Sequence, residues 1–439
     1  MPERPNILYI HSHDTGRFIQ PYGHAIPTPN LQRLAEEGIL FRQAFCANPT
    51  CSPSRASLLT GQCPHSNGML GLAHRGFALN DYGDHIIHTL RKVGYISALA
   101  GVQHIAHPRD RAAQIIGYDI YLGAMATAHD RAAEWLNNSP PEPFFLSVGF
   151  DETHREFPVD PDENPNYCLP PAPLPDTPET RADMARFKAS ARILDQKIGV
   201  VIEALARSGL ADRTLVICTT DHGIAFPRMK CTLTDSGIGV MLIMRGPGGF
   251  AGGKVIDAMV THLDLFPTIC ELAGVEPAPR LQGVSLLSLV GGTVNAIHEE
   301  IFAEVNYHAS YEPQRCIRTA RWKYIRRHDG RARPVLTNCD DSPSKDLWLA
   351  HGWRELPPAE EALYDLMFDP NESANVTNDP RHAATLVDLR MRLETWMHQT
   401  DDPLLRHGYV PAPETAMVNN PDDRSPNGLT FPARRRADS

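Results

Sequence analysis

The 439 residues exceed what one hydrophobic core usually organises, so a large domain followed by a smaller one is the first expectation. Apolar residues make up 42% and charged residues 21%, a globular balance that excludes a disordered chain. The net charge of −10 argues against a nucleic-acid surface, and an anionic substrate then needs a local cationic pocket.

From Met1 to Asn6 no basic segment precedes an apolar core, so no leader peptide is expected. The longest apolar runs are too short to span a bilayer, so no membrane partner is expected. The nine cysteines show no framework spacing and are expected as buried, reduced thiols of a cytoplasmic protein. Residues 6–11 (NILYIH) read as a buried strand. A helix then opens at Thr28-Pro29, with Thr28 as N-cap, and ends at Gly38. Further strands are expected at 95–100, 144–150, 214–219 and 240–244, with helices at 85–93, 127–137 and 180–207. Residues 151–178, rich in Pro, Asp and Asn, read as a long functional loop. Strands alternating with helices predict an α/β domain with a central, mostly parallel sheet over residues 1–308. The texture changes near 309, and a smaller α+β domain is expected over 309–439. Its strands are read at 315–327 and 362–366, its helix at 382–399, and a Pro- and Arg-rich tail closes the chain.

The chemistry concentrates in CSPSRASLLTG, residues 51–61. A thiol placed just before a helix that Gly61 ends meets unpaired N–H donors and the positive end of the dipole, a place suited to an anion. Arg55, one turn on, adds a cation. A buried cysteine on an ordinary helix is the plainer alternative.

The same stretch matches the sulfatase signature C-x-P-S-R-x-x-L-x-T-G at every specified position. The chain thus resembles the formylglycine-dependent sulfatases of the alkaline-phosphatase-like superfamily, and most of all the heparan N-sulfatase (sulfamidase) branch. Residues 64–72, 144–155, 221–227, 364–375 and Trp396 with Asp401-Asp402-Pro403 carry the likeness further along the chain. The resemblance implies an alkaline-phosphatase-like fold and a sulfuric ester or sulfamate hydrolase acting on a sulfated saccharide. It implies oxidation of Cys51 to formylglycine by a maturase, and one divalent cation, calcium in the family.

Two departures stand out. Family members carry paired aspartates after the first strand and Asp-Asn after a later one. Here these are His13-Asp14 and Asp221-His222, so the implied metal set is His13, Asp14, Cys51, Asp221 and His222. Imidazoles suit manganese or zinc better than calcium. The family's G-K-x-H segment is Gly101-Val102-Gln103-His104, so the lysine that touches sulfate is missing. His107, His11 and Arg17 are candidate replacements. By resemblance Cys51, Arg55, His104, His154 and Lys230 form the catalytic set. His154 faces the leaving group, Lys230 holds sulfate, and His104 serves the formylglycine hydroxyls. Asp221-His222 and the lost lysine also suit a phosphonate monoester or phosphodiester hydrolase on the same scaffold. A non-catalytic glycan binder is a third reading, with Val102 its only support.

Overall fold

The computed structural model describes residues 4–433. Strand β1 (Asn6–Ser12) is buried at all seven positions, as a strand covered on both faces must be. Leu8 and Ile10 point into one apolar layer with helices Ala128–Asn137 and Pro178–Arg207; Ile7 and Tyr9 point into the other. The period of two in a single strand therefore divides the core into two faces.

The remaining strands of the large sheet are β2 (Ile39–Phe45), β3 (Ile96–Gly101), β4 (Ile120–Gly123), β5 (Phe144–Gly149), β6 (Thr214–Thr220), β7 (Gly239–Val240), β8 (Leu242–Arg245) and β9 (Lys254–Thr261). Their order is β4-β3-β5-β1-β6-β8-β2-β7, with β9 paired to β2. From β4 through β6 the strands run parallel, and β8 pairs antiparallel to β6. The expected mostly parallel sheet is thus present, and the antiparallel pairings of β7 and β8 make it mixed. Its five parallel strands bring the ends of β1, β5, β6 and β3 to one edge, where ligands of open α/β sheets bind.

Helix α1 (Pro29–Glu37) starts and stops where the sequence predicts, but its cap differs. Thr28 stands at the N-cap, yet its hydroxyl accepts from the Gln20 amide and leaves the helix amides alone. Helix α2 (Cys51–Thr60) is buried along its whole length and ends at Gly61, whose φ of +68° is left-handed. Cys51 is its first residue rather than the residue before it.

A second sheet is antiparallel, in the order β10 (Glu300–Tyr307), β11 (Tyr311–Thr319), β12 (Trp322–Arg327), β13 (Glu361–Asp365). The run 315–327, read as one strand, is a hairpin that turns at Ala320-Arg321. The domain boundary expected after 308 falls between β10 and β11, which are hydrogen-bonded neighbours. Up to residue 433 the tail wraps the body: Asn419 donates to the Ala309 carbonyl, and Arg75 donates to that of Pro426. Its last six residues lie outside the described ones. A short pair, β14 (Met417–Asn419) and β15 (Thr430–Pro432), closes it.

Arg315 ties the two sheets' regions together. It is fully buried, donates to Asp402 at 2.5 Å and lies 3.2 Å from Glu304, which in turn holds His65 at 2.7 Å, just beyond α2. Removing it leaves two buried carboxylates short of a cation, so Arg315→Met is expected to destabilise the fold by about 3–5 kcal/mol. A urea midpoint equal to that of the unaltered protein contradicts this.

Candidate active site

The loops after β1, β3, β5 and β6 converge on the first turn of α2. Asp14, two residues beyond β1, has φ of +49°, a region aspartate tolerates better than most residues. Its amide donates to Asp221 Oδ1 at 2.8 Å, so the two carboxylates are fixed together. Asp221 follows β6 directly and accepts from Arg55 at 2.9 Å. The serines of the signature latch neighbouring loops to α2: Ser54 donates to the Asp221 carbonyl, and Ser52 to the His104 carbonyl. Gly149 ends β5, where a Cβ would stand 2.1 Å from the Val102 carbonyl oxygen and 2.5 Å from the His11 ring; only glycine fits.

One donor atom from each of His13, Asp14, Cys51 and Asp221 lies within 4.8 Å of the others. His13 Nδ1 sits 3.0 Å from Asp221 Oδ2, but neither it nor Asp14 Oδ1 makes a hydrogen bond of sound geometry. His222 Nδ1 is 3.0 Å from the Gly223 carbonyl and must donate to it, which leaves a lone pair on Nε2. That lone pair is 3.3 Å from Asp14 Oδ1 and 3.4 Å from Cys51 Sγ. A lone pair facing a carboxylate is repulsive by itself, and a shared cation relieves it. Fixing the distal nitrogen on a carbonyl is also how metal-binding histidines are oriented. The donors therefore fit a divalent cation.

Charge is arranged to match. Burial alone raises the Asp221 carboxyl pKa, but at the acid pH where this group titrates the positive charges of His222, Arg55 and His13 outweigh burial and hold it well below its ordinary range. Burial first, then Arg55, pushes His13 down to about 4, so it is neutral at pH 7. Burial also drives the Cys51 thiol well above its usual pKa despite nearby Lys230, so the cysteine is not an activated thiolate. Lys230 donates to Asp14 Oδ2 at 2.8 Å and lies 3.0 Å from Asp340 Oδ2; these two carboxylates overcome burial and keep it charged.

The structure brings Cys51, Arg55, His13, Asp14, Asp221, His222 and Lys230 into one contact network, with the His154 ring 5.3 Å from that of His13. His104 also lies 5.3 Å from His13, ring to ring. His154 Nδ1 donates to the Arg155 carbonyl at 2.5 Å, leaving Nε2 free. Two suggested substitutes for the missing lysine are engaged by other partners. His11 is occupied on one nitrogen by Arg55 and lies 3.3 Å from Ser147 with the other. Arg17 donates to the Ala44 carbonyl and stacks on Phe45. His107 is exposed. Val102 itself is buried. Three residues escaped sequence reasoning: His74, stacked on His104, and Asp340 and His308 beside Lys230. None sits in a motif. The Ser342-Pro343 helix start just after Asp340 is the single local signal.

A mostly parallel sheet flanked by helices, with paired acidic groups facing the first turn of a buried signature helix, defines an alkaline-phosphatase-like hydrolase. The chain belongs to the sulfatase family: the Sulfatase family model matches residues 5–275. A second model, N-sulphoglucosamine sulphohydrolase, C-terminal, matches residues 227–345. Human N-sulphoglucosamine sulphohydrolase is 29% identical, with 91% of each chain covered. An ulvan-active sulfatase of Formosa agariphila is 26% identical over 95% of this chain and 78% of its own. Among solved structures, a complex with the substrate D-glucosamine-2-N,6-O-disulfate superposes with a TM-score of 0.70 at 19% identity, covering 91% and 99% of the two chains. The phosphonate monoester hydrolase of Agrobacterium radiobacter gives 0.70 at 21%, covering 90% and 96%, a likeness of fold.

Proposed function

We propose that this sulfatase removes sulfate from an O- or N-sulfated saccharide, through a formylglycine that a maturase makes from Cys51. The observation that carries this reading is the placement of residue 51 on the first turn of α2, against Asp14, Asp221 and His222. Cys51 Sγ marks the position that the oxygens of the modified side chain take. When present, formylglycine supplies the nucleophilic oxygen, and the cation acidifies a hydroxyl and neutralises sulfate charge.

The other roles belong to the chain's own groups. Arg55 holds Asp221 in place. Lys230, positioned between Asp14 and Asp340, offers a fixed ammonium to the sulfate oxygens. His154, with Nδ1 committed to a carbonyl, presents Nε2 to the leaving group and donates from it when protonated. His104 takes a proton at residue 51. The human relative's name and the sulfamidase-type C-terminal match support a sulfated amino sugar or its polymer fragments as the substrate class. The eight cysteines other than Cys51 are free thiols, which supports a reducing compartment such as the cytoplasm. The test is a parallel panel of saccharide O-sulfates, sulfamates and phosphodiesters with protein confirmed to carry formylglycine. Preferred turnover of phosphodiesters overturns the reading.

For the metal, calcium follows from the family likeness, but the donors favour a softer ion. His13 and His222 each present a nitrogen beside two carboxylates, a mixed set suited to manganese or zinc. Chelation is expected to abolish activity, and manganese or zinc to restore it better than calcium. Native protein with stoichiometric calcium and neither of the others refutes the assignment.

A further inference from the structure

We propose that His74 is a positioning residue for His104, holding that ring with Nδ1 unprotonated and available to residue 51; the inference rests on reading residue 51 as the reacting centre. His104 Nε2 lies 3.3 Å from His74 Nδ1, with the ring planes 4° apart and the centroids 5.5 Å apart. The other nitrogen, His104 Nδ1, is buried without a hydrogen-bond partner. One ring nitrogen of His104 lies within 4.8 Å of Cys51 Sγ and a His13 nitrogen.

These facts bear on which tautomer function needs. A neutral imidazole carries one proton. With Nε2–H donated to His74 Nδ1, His104 keeps a lone pair on Nδ1 and can accept a proton there. With the opposite tautomer, Nδ1–H points inward and His104 has no acceptor to offer. His74 is exposed, so its own Nε2–H needs no partner from the protein.

A chance pairing of surface histidines is the plain alternative, and Ser52 argues against it. Its hydroxyl donates to the His104 carbonyl at 2.5 Å and accepts from the Ala73 amide at 3.1 Å. One side chain of the signature helix therefore anchors both histidine-bearing loops. His104 also holds a left-handed φ of +57°, which sets the direction of its ring. Nothing in the sequence joins these two loops. Ser52 on α2 bonds both of them.

Two measurements test the pair on the full-length protein. Long-range ¹H–¹⁵N spectra of histidine-labelled protein are expected to show His104 protonated on Nε2 alone, and His74→Ala is expected to give a tautomer mixture. In kinetics on a sulfate ester, His74→Ala is expected to lower kcat about tenfold or more with KM changed less than about twofold. His74→Asn retains an acceptor close to the Nδ1 position and is expected to recover kcat to within about threefold of the unaltered enzyme. A merely structural role for His74 does not predict that rescue. The proposal is overturned by unchanged kcat in His74→Ala, by His74→Asn behaving as His74→Ala, or by His104 carrying its proton on Nδ1. If the unaltered protein hydrolyses no sulfate ester, the functional reading fails, and the spectra still decide the pair.

Discussion

Cys51→Ala is expected to abolish sulfate-ester turnover, a loss of about 10⁴-fold or more, while leaving the fold intact. The argument starts from the thiol itself. It is 1% exposed on the first turn of α2, and burial holds it protonated. A cysteine in that state is a poor nucleophile, so unconverted protein is expected to be as inactive as the alanine variant. Activity should instead follow the fraction of residue 51 found as formylglycine by mass spectrometry of its peptide. Alanine removes one buried sulfur and no charge, so thermal unfolding should move by a few degrees at most. Full activity in Cys51→Ala, or in protein whose residue 51 remains cysteine, is incompatible with the covalent scheme.

What the sequence made legible follows the range of the interactions involved. β1, β5 and β6 are apolar runs whose neighbours lie beside them in a parallel sheet, so local pattern suffices to find them. The signature helix is legible because Cys51, Pro53, Arg55 and Gly61 each meet a local requirement of its start, charge or end. β2 is harder: Arg42 and Gln43 interrupt its pattern as it pairs with three strands distant in sequence. The hairpin of β11 and β12 turns at Ala320-Arg321 without glycine or asparagine, so nothing local marks the turn. The same holds within the site. Asp14 and Asp221 stand at strand ends where chemistry is expected, whereas Asp340 reaches Lys230 from a segment 110 positions later. His74 acquires its meaning only through Ser52.

The electrostatics join these local and distant pieces around Arg55, and Arg55→Ala carries the largest combined effect on stability and activity. The guanidinium is 2% exposed, donates to Asp221 at 2.9 Å and to the Ser12 carbonyl at 2.8 Å, and its other arm meets His11 Nδ1. Alanine strips the buried carboxylate of its permanent cation and His11 of its donor. The expected cost is about 3–5 kcal/mol in metal-free protein, with activity reduced by about 10³-fold as Asp221 loses its orientation. The pH dependence follows from the Asp221 carboxyl, whose folded pKa lies well below the ordinary value because His222, Arg55 and His13 outweigh burial. A depressed carboxyl pKa contributes stability that is fully present above the unfolded value, about 4, and is lost as pH falls through the folded one. Without Arg55 the folded pKa rises, that contribution shrinks, and the variant's deficit is expected to be larger at pH 7 than at pH 3. Arg55→Lys restores charge but one ammonium cannot span Asp221, Ser12 and His11 together, so it should recover stability only in part. Urea unfolding of the metal-free proteins followed by circular dichroism between pH 3 and 8 measures both effects. A deficit that is constant with pH rules out the Asp221 origin, and an unchanged midpoint rules out the pair's role altogether.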